Sequence, residues 1–206
     1  GVDEIQFDYI RFPSDGPVRH MQFSHRRSGM RRVDALASFL AMARERVDIP
    51  IGTDVFGFNA WYEMDYLGQN IAMIARHVDV ISPMYYPSHF DSRFLDDRDF
   101  YRRARDIYRL GAARARVIIG DRALIRPYVQ SFLIGSELEL ERPEYSRYLT
   151  EQIQGSLSAV SRGFLLWNFS GRYYMVVESL RPYTSIVESG SSDFAGPSAE
   201  PDRRLD

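Results

Sequence analysis

The strongest constraint in this chain is an alternation. Short apolar segments of strand composition recur, and a loop and a helix-period segment follow each one. Residues 3–8 alternate polar and apolar side chains as a strand does, and 51–56, 79–84 and 163–168 are further strands. Between them, residues 30–47 set Val33, Leu36, Ala37, Leu40, Ala43 and Val47 on one helical face, and Pro50 stops that helix. Residues 66–77 do the same with Leu67, Ile71, Ile74 and Ala75, and residues 98–116 with Phe100, Ala104, Ile107 and Leu110. Two more helices are expected at 143–160, opening on Pro143, and at 173–180. One more strand falls at 117–119 or within 124–132, and composition leaves both open. Strands that take turns with helices give a parallel sheet, because a parallel neighbour is reached only by a crossover. The fold class is therefore α/β with five parallel strands, either a doubly wound sheet or part of a barrel. A complete (β/α)8 barrel takes about 250 residues; five units fit in residues 1–187 and eight do not.

The first strand starts at once, without cap or lead-in, and residue 1 is Gly; the chain is expected to begin inside a domain. Residues 188–206, rich in Ser, Gly, Pro and charge, are expected to form a disordered tail. Hydrophobic residues at 45% and charged residues at 26% are those of a globular chain. A net charge of −2 gives no reason to expect nucleic acid or an anionic membrane as partner. No apolar run reaches the roughly 18–20 residues of a bilayer span, and no signal-peptide pattern opens the chain. Cysteine is absent, which excludes disulfides, thiolate metal sites and a cysteine nucleophile. All 26 basic residues are Arg, which excludes lysine Schiff-base chemistry and the P-loop. His20, His25, His77 and His89 form no HExxH, and neither GxSxG nor GxGxxG occurs. No metal and no cofactor is expected.

Four motifs carry a resemblance. They are Asp3-Glu4-Ile5-Gln6-Phe7-Asp8-Tyr9-Ile10-Arg11-Phe12-Pro13-Ser14-Asp15-Gly16, Thr53-Asp54-Val55-Phe56-Gly57, Val80-Ile81-Ser82-Pro83-Met84-Tyr85-Tyr86-Pro87-Ser88-His89 and Leu165-Leu166-Trp167-Asn168. In this order and spacing, over about residues 1–180, the chain resembles a family of glycoside-hydrolase-like (β/α)8 barrels distantly similar to the α-amylase superfamily, whose substrates are largely unassigned. The resemblance implies that the motifs mark barrel strands four to eight, with strands one to three outside this chain. The family's seventh strand carries Arg-Pro-aromatic-x-Gln, matched by Arg126-Pro127-Tyr128-Val129-Gln130, which selects 124–132 over 117–119. Two departures stand out. An acidic residue often follows that Gln in the family, and here it is Ser131; the last motif usually reads Trp-Asn-Ala-Ser-Asn, and here it is Trp167-Asn168-Phe169-Ser170-Gly171. If the lost acid is catalytic, this copy is impaired.

Chemistry in such barrels sits at the carboxyl ends of the strands. Asp8 ends the first strand, where amylase-like barrels keep their nucleophile, and is expected to be the nucleophile or stabilising carboxylate; its structural alternative is to cap the following turn. Asp54, near the end of the next strand, is expected to be the general acid/base, the alternative being a buried partner of Arg11 or Arg126. Neighbouring strands bring two such carboxyls to about 5–5.5 Å in a retaining enzyme or about 6.5–9.5 Å in an inverting one. Arg11, Tyr85, Tyr86, His89, Arg126, Gln130, Trp167 and Asn168 are expected to contact substrate, with Trp167 either a stacking platform or core. Asp3 and Glu4 read as structural, and Asp15 and Glu63 as substitutes for the second acid. The basic loop from Arg19 to Arg32 is either a solvated loop or a site for an anionic sugar.

The expected function is glycoside hydrolysis on a poly- or oligosaccharide substrate, in an extracytoplasmic or cell-envelope setting, with no nucleic-acid partner. The alternatives are a non-catalytic carbohydrate-binding barrel of the envelope and a truncated inactive fragment.

Overall fold

The computed structural model describes residues 1–158, 162–173, 176, 180, 182 and 183. The tail expected at 188–206 and most of the helix expected at 173–180 lie outside the described residues. Strands β1 (Ile5–Phe7), β2 (Ile51–Phe56), β3 (Val80–Met84), β4 (Leu124–Ile125), β5 (Tyr128–Gln130) and β6 (Leu165–Trp167) form one sheet in which every pairing is parallel. The order is β1-β2-β3-β5-β6, with β4 also on β3. β4 and β5 are halves of one strand: Ile81 pairs with Ile125 and Met84 with Tyr128 in an unbroken register. The gap falls where Pro83 stands opposite Pro127, and proline brings no N–H to a ladder. The result is five consecutive strands curled into a half-barrel, a segment of a (β/α)8 barrel, as expected.

The helices are α1 (Arg32–Arg46), α2 (Ile71–Ile74), α3 (Phe100–Ile119) and α4 (Arg142–Leu157). Residues 117–119 are the last turn of α3, and Val117 is exposed, so the open choice of strand resolves to β4 and β5. The helix expected at 66–77 shrinks to α2 for a local reason. Gly68 takes a left-handed φ of 78°, ending a 3-10 turn, and the Asn70 side chain then caps a new start by accepting from the Met73 N–H at 3.0 Å. Asp99 caps α3 likewise, accepting from the Tyr101 and Arg102 N–H groups, so α3 begins at Phe100. Arginines in and just before α3 are used locally: Asp106 takes Arg98 and Arg109, and Arg103 donates to the carbonyls of Phe90, Asp91 and Phe94.

The two faces of the sheet differ in chemistry. Ile51, Val55, Ile81, Ile125 and Val129 point outward into a core completed by Leu40, Ile74, Ile107, Leu149 and Ile153 of the helices. Each such aliphatic side chain contributes about 1.5–3 kcal/mol on burial. That sum pins the register, since a slip of one residue would turn the whole inner set outward. The inner, concave face carries Glu4, Gln6, Gly52, Asp54, Ser82, Arg126 and Tyr128 instead. It is a polar surface held in place by an apolar one.

Candidate active site

β1 ends at Phe7, and Asp8 follows as an exposed residue at the carboxyl edge of the sheet. The chain turns sharply there. Tyr9 has a φ of 57°, a conformation that costs a non-glycine residue and marks a constrained turn. Arg11 holds this turn. Its guanidinium lies 4.4 Å from the centroid of the Tyr9 ring and 5.0 Å from that of Phe56 on β2, and it donates to the Tyr9 hydroxyl at 2.8 Å and to Ser14 at 3.0 Å. Arg11 thus acts on the shape of the Asp8 turn, and the carboxylate facing it is that of Asp15, 4.0 Å away.

Asp54 sits on β2 on the concave face and is 5% exposed. Gln6 of β1 donates to its Oδ1 at 2.7 Å. Gly52 makes this possible: a Cβ there would lie 2.2 Å from the Gln6 carboxamide, which crosses β2 at that point. On its other side Asp54 faces the Asp8 side chain, near enough for that acid to act on its carboxyl. Burial, and then the Asp8 carboxyl, push Asp54 up to about 7, while the Gln6 hydrogen bond acts in the opposite direction. Two carboxyls this close resist being ionised together, which favours the protonated form of Asp54.

Tyrosines surround the pair. Tyr128 on β5 and Tyr86 beyond β3 both have hydroxyls raised by burial and then by the Asp54 charge, Tyr128 to about 12. Trp167 stands edge-on to Tyr128 at 6.4 Å and is 42% exposed, so it belongs to the concave face and not to the core. A ridge of rings borders the site: Tyr86 packs on His89 at 5.4 Å and on Phe132 at 5.3 Å, and Phe132 on the exposed Phe169 at 5.8 Å. Three buried polar atoms of the concave face, Gln6 Oε1, Ser82 Oγ and Arg126 Nε, have no hydrogen-bond partner among the described residues. Ser82 stands opposite Asp54 in the strand register.

Other expected contacts lie elsewhere or are occupied. Tyr85 is fully buried on the helix side, edge-on to Trp61 and Tyr108 and against Gly111 of α3; alternation gives Tyr86 to the site and Tyr85 to the core. Arg126 pairs with Glu4 across the concave face, so neither it nor Arg11 is the ion-pair partner of Asp54. Gln130 is buried with all four hydrogen-bond positions filled. Its Nε2 donates to Glu137 at 2.7 Å and to the Phe132 carbonyl at 3.0 Å, and its Oε1 accepts from the Ser88 N–H at 3.2 Å and hydroxyl at 2.9 Å. Asn168 is filled likewise by Ser131, Arg172 and Ser170, and it shapes the turn after β6. Asp15 and Glu63 are exposed on loops. Among the described residues no three His, Asp or Glu side chains converge as a cation site would require.

Sequence reasoning missed Tyr128, Phe132 and Phe169. Tyr128 was readable as the aromatic residue of Arg126-Pro127-Tyr128, two places from Arg126 and so on the same face. It also missed Glu137, which anchors a chain of hydrogen bonds. Glu137 accepts from Gln130 and from Tyr148 at 2.7 Å, Gln130 accepts from the Ser88 hydroxyl, and Ser88 Oγ lies 3.0 Å from His89 Nδ1. The single Ser88 proton goes to Gln130, so Oγ accepts from His89, which must carry its proton on Nδ1 and present Nε2 as an acceptor. Nitrogen-15 NMR above pH 7.5 should therefore show a neutral Nδ1–H tautomer for His89 that Ser88→Ala abolishes. An Nε2–H ring in the unaltered protein contradicts the chain.

A sequence profile of the family described as "Putative glycosyl hydrolase domain" matches residues 1–173. No curated protein matches the chain.

Proposed function

The chain belongs to the "Putative glycosyl hydrolase domain" family, and from that premise we propose that it hydrolyses O-glycosidic bonds of a poly- or oligosaccharide through Asp54 and Asp8. The observation that carries the reading is a buried carboxyl, Asp54, set beside the exposed Asp8 at the carboxyl edge of the sheet. Glycoside hydrolysis needs one carboxyl that is protonated near neutral pH to give a proton to the leaving oxygen, and one carboxylate to face the positive charge on the anomeric carbon. Asp54, raised to about 7 by burial and by Asp8, suits the first role. Asp8, exposed beside it, suits the second.

The two carboxyls face each other at the edge of the sheet. Asp54 is fixed by Gln6, whereas Asp8 stands at the open edge, so Asp8 is the one that moves aside to admit the anomeric carbon. Asp54 then protonates the glycosidic oxygen as the C–O bond breaks, and Asp8 attacks or stabilises the oxocarbenium-like centre. Water then bonds through its oxygen to the anomeric carbon, freeing Asp8 where it has attacked, and gives its proton back to Asp54. Gln6 Oε1 and Ser82 Oγ supply unpaired hydrogen-bonding groups for sugar hydroxyls, and Trp167 and Tyr86 supply ring faces.

The test is Asp8→Asn. The amide is nearly isosteric but can neither attack nor carry a charge, so turnover on a polysaccharide panel should fall by at least ~10³-fold while sugar binding persists. The unaltered protein should lose kcat/KM as pH rises through about 7, because Asp54 must be protonated to act as acid. Activity that survives Asp8→Asn, or that holds constant from pH 6 to 9, rejects these roles.

A second reading, a non-catalytic carbohydrate-binding barrel, is favoured by Ser131, which stands where the family often has an acid. It is distinguished by sugar binding without turnover in the unaltered protein.

A further inference from the structure

We propose that the cleft between the β1–α1 loop and the start of α1 binds the acidic groups of an anionic saccharide. The saccharide part rests on the glycoside-hydrolase reading; the charge rests on the cleft itself. The cleft encloses about 690 Å³, within the range of small-molecule sites. Phe12 and Phe23, edge to face at 5.2 Å, form an apolar floor with Met30. Arg19, Arg26, Arg31 and Arg32 line it together with His25, and no carboxylate does.

The four arginines are held differently. Asp34 in the first turn of α1 holds Arg31 at 2.7 Å. Arg32 lies 5.3 Å from the centroid of the Phe12 ring and donates to the Tyr66 carbonyl. Arg19 and Arg26 are exposed, and their side chains have no hydrogen-bond or ion-pair partner among the described residues. Several arginines elsewhere meet acids: Arg98 and Arg109 meet Asp106, Arg44 meets Asp79, Arg105 meets Glu151 and Arg126 meets Glu4. In a chain of net charge −2, a cleft of arginines without a lining acid is a local positive potential that an anion would neutralise. The guanidinium fork pairs two-pronged with carboxylate or sulfate, and the phenyl rings suit the C–H faces of a sugar.

Position links the cleft to the carboxyl pair. The loop leaves β1 directly after Asp8, so the cleft and the pair belong to the same carboxyl edge of the sheet. An acidic glycan would be repelled by Asp8 and Asp54 alone. The arginines offset that repulsion and set the register in which the chain lies. Uronate and sulfate groups share the chemistry that such a cleft reads.

Binding can be measured by calorimetry on Asp8→Asn protein, with oligogalacturonate, a sulfated oligosaccharide and a neutral malto-oligosaccharide as separate probes. At least one acidic probe should bind about tenfold or more tighter than the neutral one, more weakly at high salt, and the ranking of the two acidic probes identifies the group. Arg19→Ser together with Arg26→Ser should remove that advantage and leave neutral binding unchanged. Both residues are exposed and without side-chain partners, so the pair of changes spares the fold. Equal binding of acidic and neutral probes, an advantage that survives the double variant, or tighter binding of single-stranded DNA than of either acidic saccharide overturns the inference. Failure of the hydrolase reading looks different: the acidic oligosaccharide binds through the arginines, but protein with Asp8 intact leaves it uncut.

Discussion

Asp54→Asn should make the protein more stable at pH 8 while removing its turnover. The carboxyl of Asp54 is held at about 7 in the folded state, against about 3.9 in an unfolded chain. The folded state therefore binds more protons than the unfolded state between these values, and stability falls as pH rises from about 4 to about 7. Below that window both states are protonated, and above it the deficit is complete. A shift of about three units has a ceiling of about 4 kcal/mol. Because Asp8 opens to solvent, a loss of ~1–3 kcal/mol is the realistic scale. Asparagine reproduces the protonated acid: its oxygen still accepts from Gln6, and its amide can donate to the Asp8 carboxylate. The variant should therefore keep one stability from pH 5 to 8, and at pH 8 it should melt several degrees above the unaltered protein, at ~2–4 °C per kcal/mol. With the proposed general acid replaced, turnover should drop by ~10²–10⁴-fold. Thermal melts at pH 5 and pH 8 check this. An equal loss of stability at both values would make Asp54 a structural anion and remove the basis for its catalytic role.

That a charge is kept at a cost to stability is what separates this pair from the other ion pairs of the molecule. Asp106 and Asp79 meet arginines, and those contacts serve the fold. Asp54 meets another acid and a glutamine, in a strand whose next two neighbours, Val55 and Phe56, are ordinary wall. Buried groups whose environment works against their charge are drawn from functional sites more often than from scaffolds.

The strand order was legible because apolar period and strand-helix alternation are local properties, and each strand carried enough of both. Asp8 and Asp54 were legible for a related reason. A residue at the carboxyl end of a parallel strand has its position set by the strand, whatever the rest of the chain does. What failed was anything depending on partners distant in sequence. Nothing around Gln130 announces that Glu137 and Ser88 fill it, or around Asn168 that the Ser131 carbonyl does, 37 residues away. Tyr85 and Tyr86 are alike in type, and only the alternation carried on past the end of β3 gives Tyr85 to the core. The break in the helix at Gly68 needed a left-handed residue that composition permits but does not require.

Ser131→Asp, the change that restores the acid often found there in the family, should destabilise the protein and yield no gain in turnover. Ser131 is 1% exposed. Its hydroxyl donates to the Trp167 carbonyl at 2.6 Å, and its own N–H donates to the same oxygen at 3.0 Å. Its carbonyl accepts from Tyr145 and from Asn168. An aspartate at this position would replace the hydroxyl donor by a carboxylate set against the Trp167 carbonyl oxygen, two acceptors facing each other at a buried position. Leaving a buried polar group in that state costs ~1–3 kcal/mol, and more when it is charged. The carboxylate could escape only by taking up a proton or by prising β6 from β5, and the second route would displace Trp167. The melting temperature should therefore fall by several degrees at pH 8 and by less at pH 5, where protonation lets the new side chain donate to the carbonyl. Turnover should stay at or below that of the unaltered protein if, as proposed, Asp54 supplies the acid. Ser131→Ala serves as the control: it loses one hydrogen bond, adds no charge, and should show the smaller loss at both pH values. A gain of tenfold or more in turnover from Ser131→Asp would place the acid/base at 131 and overturn the assignment of Asp54.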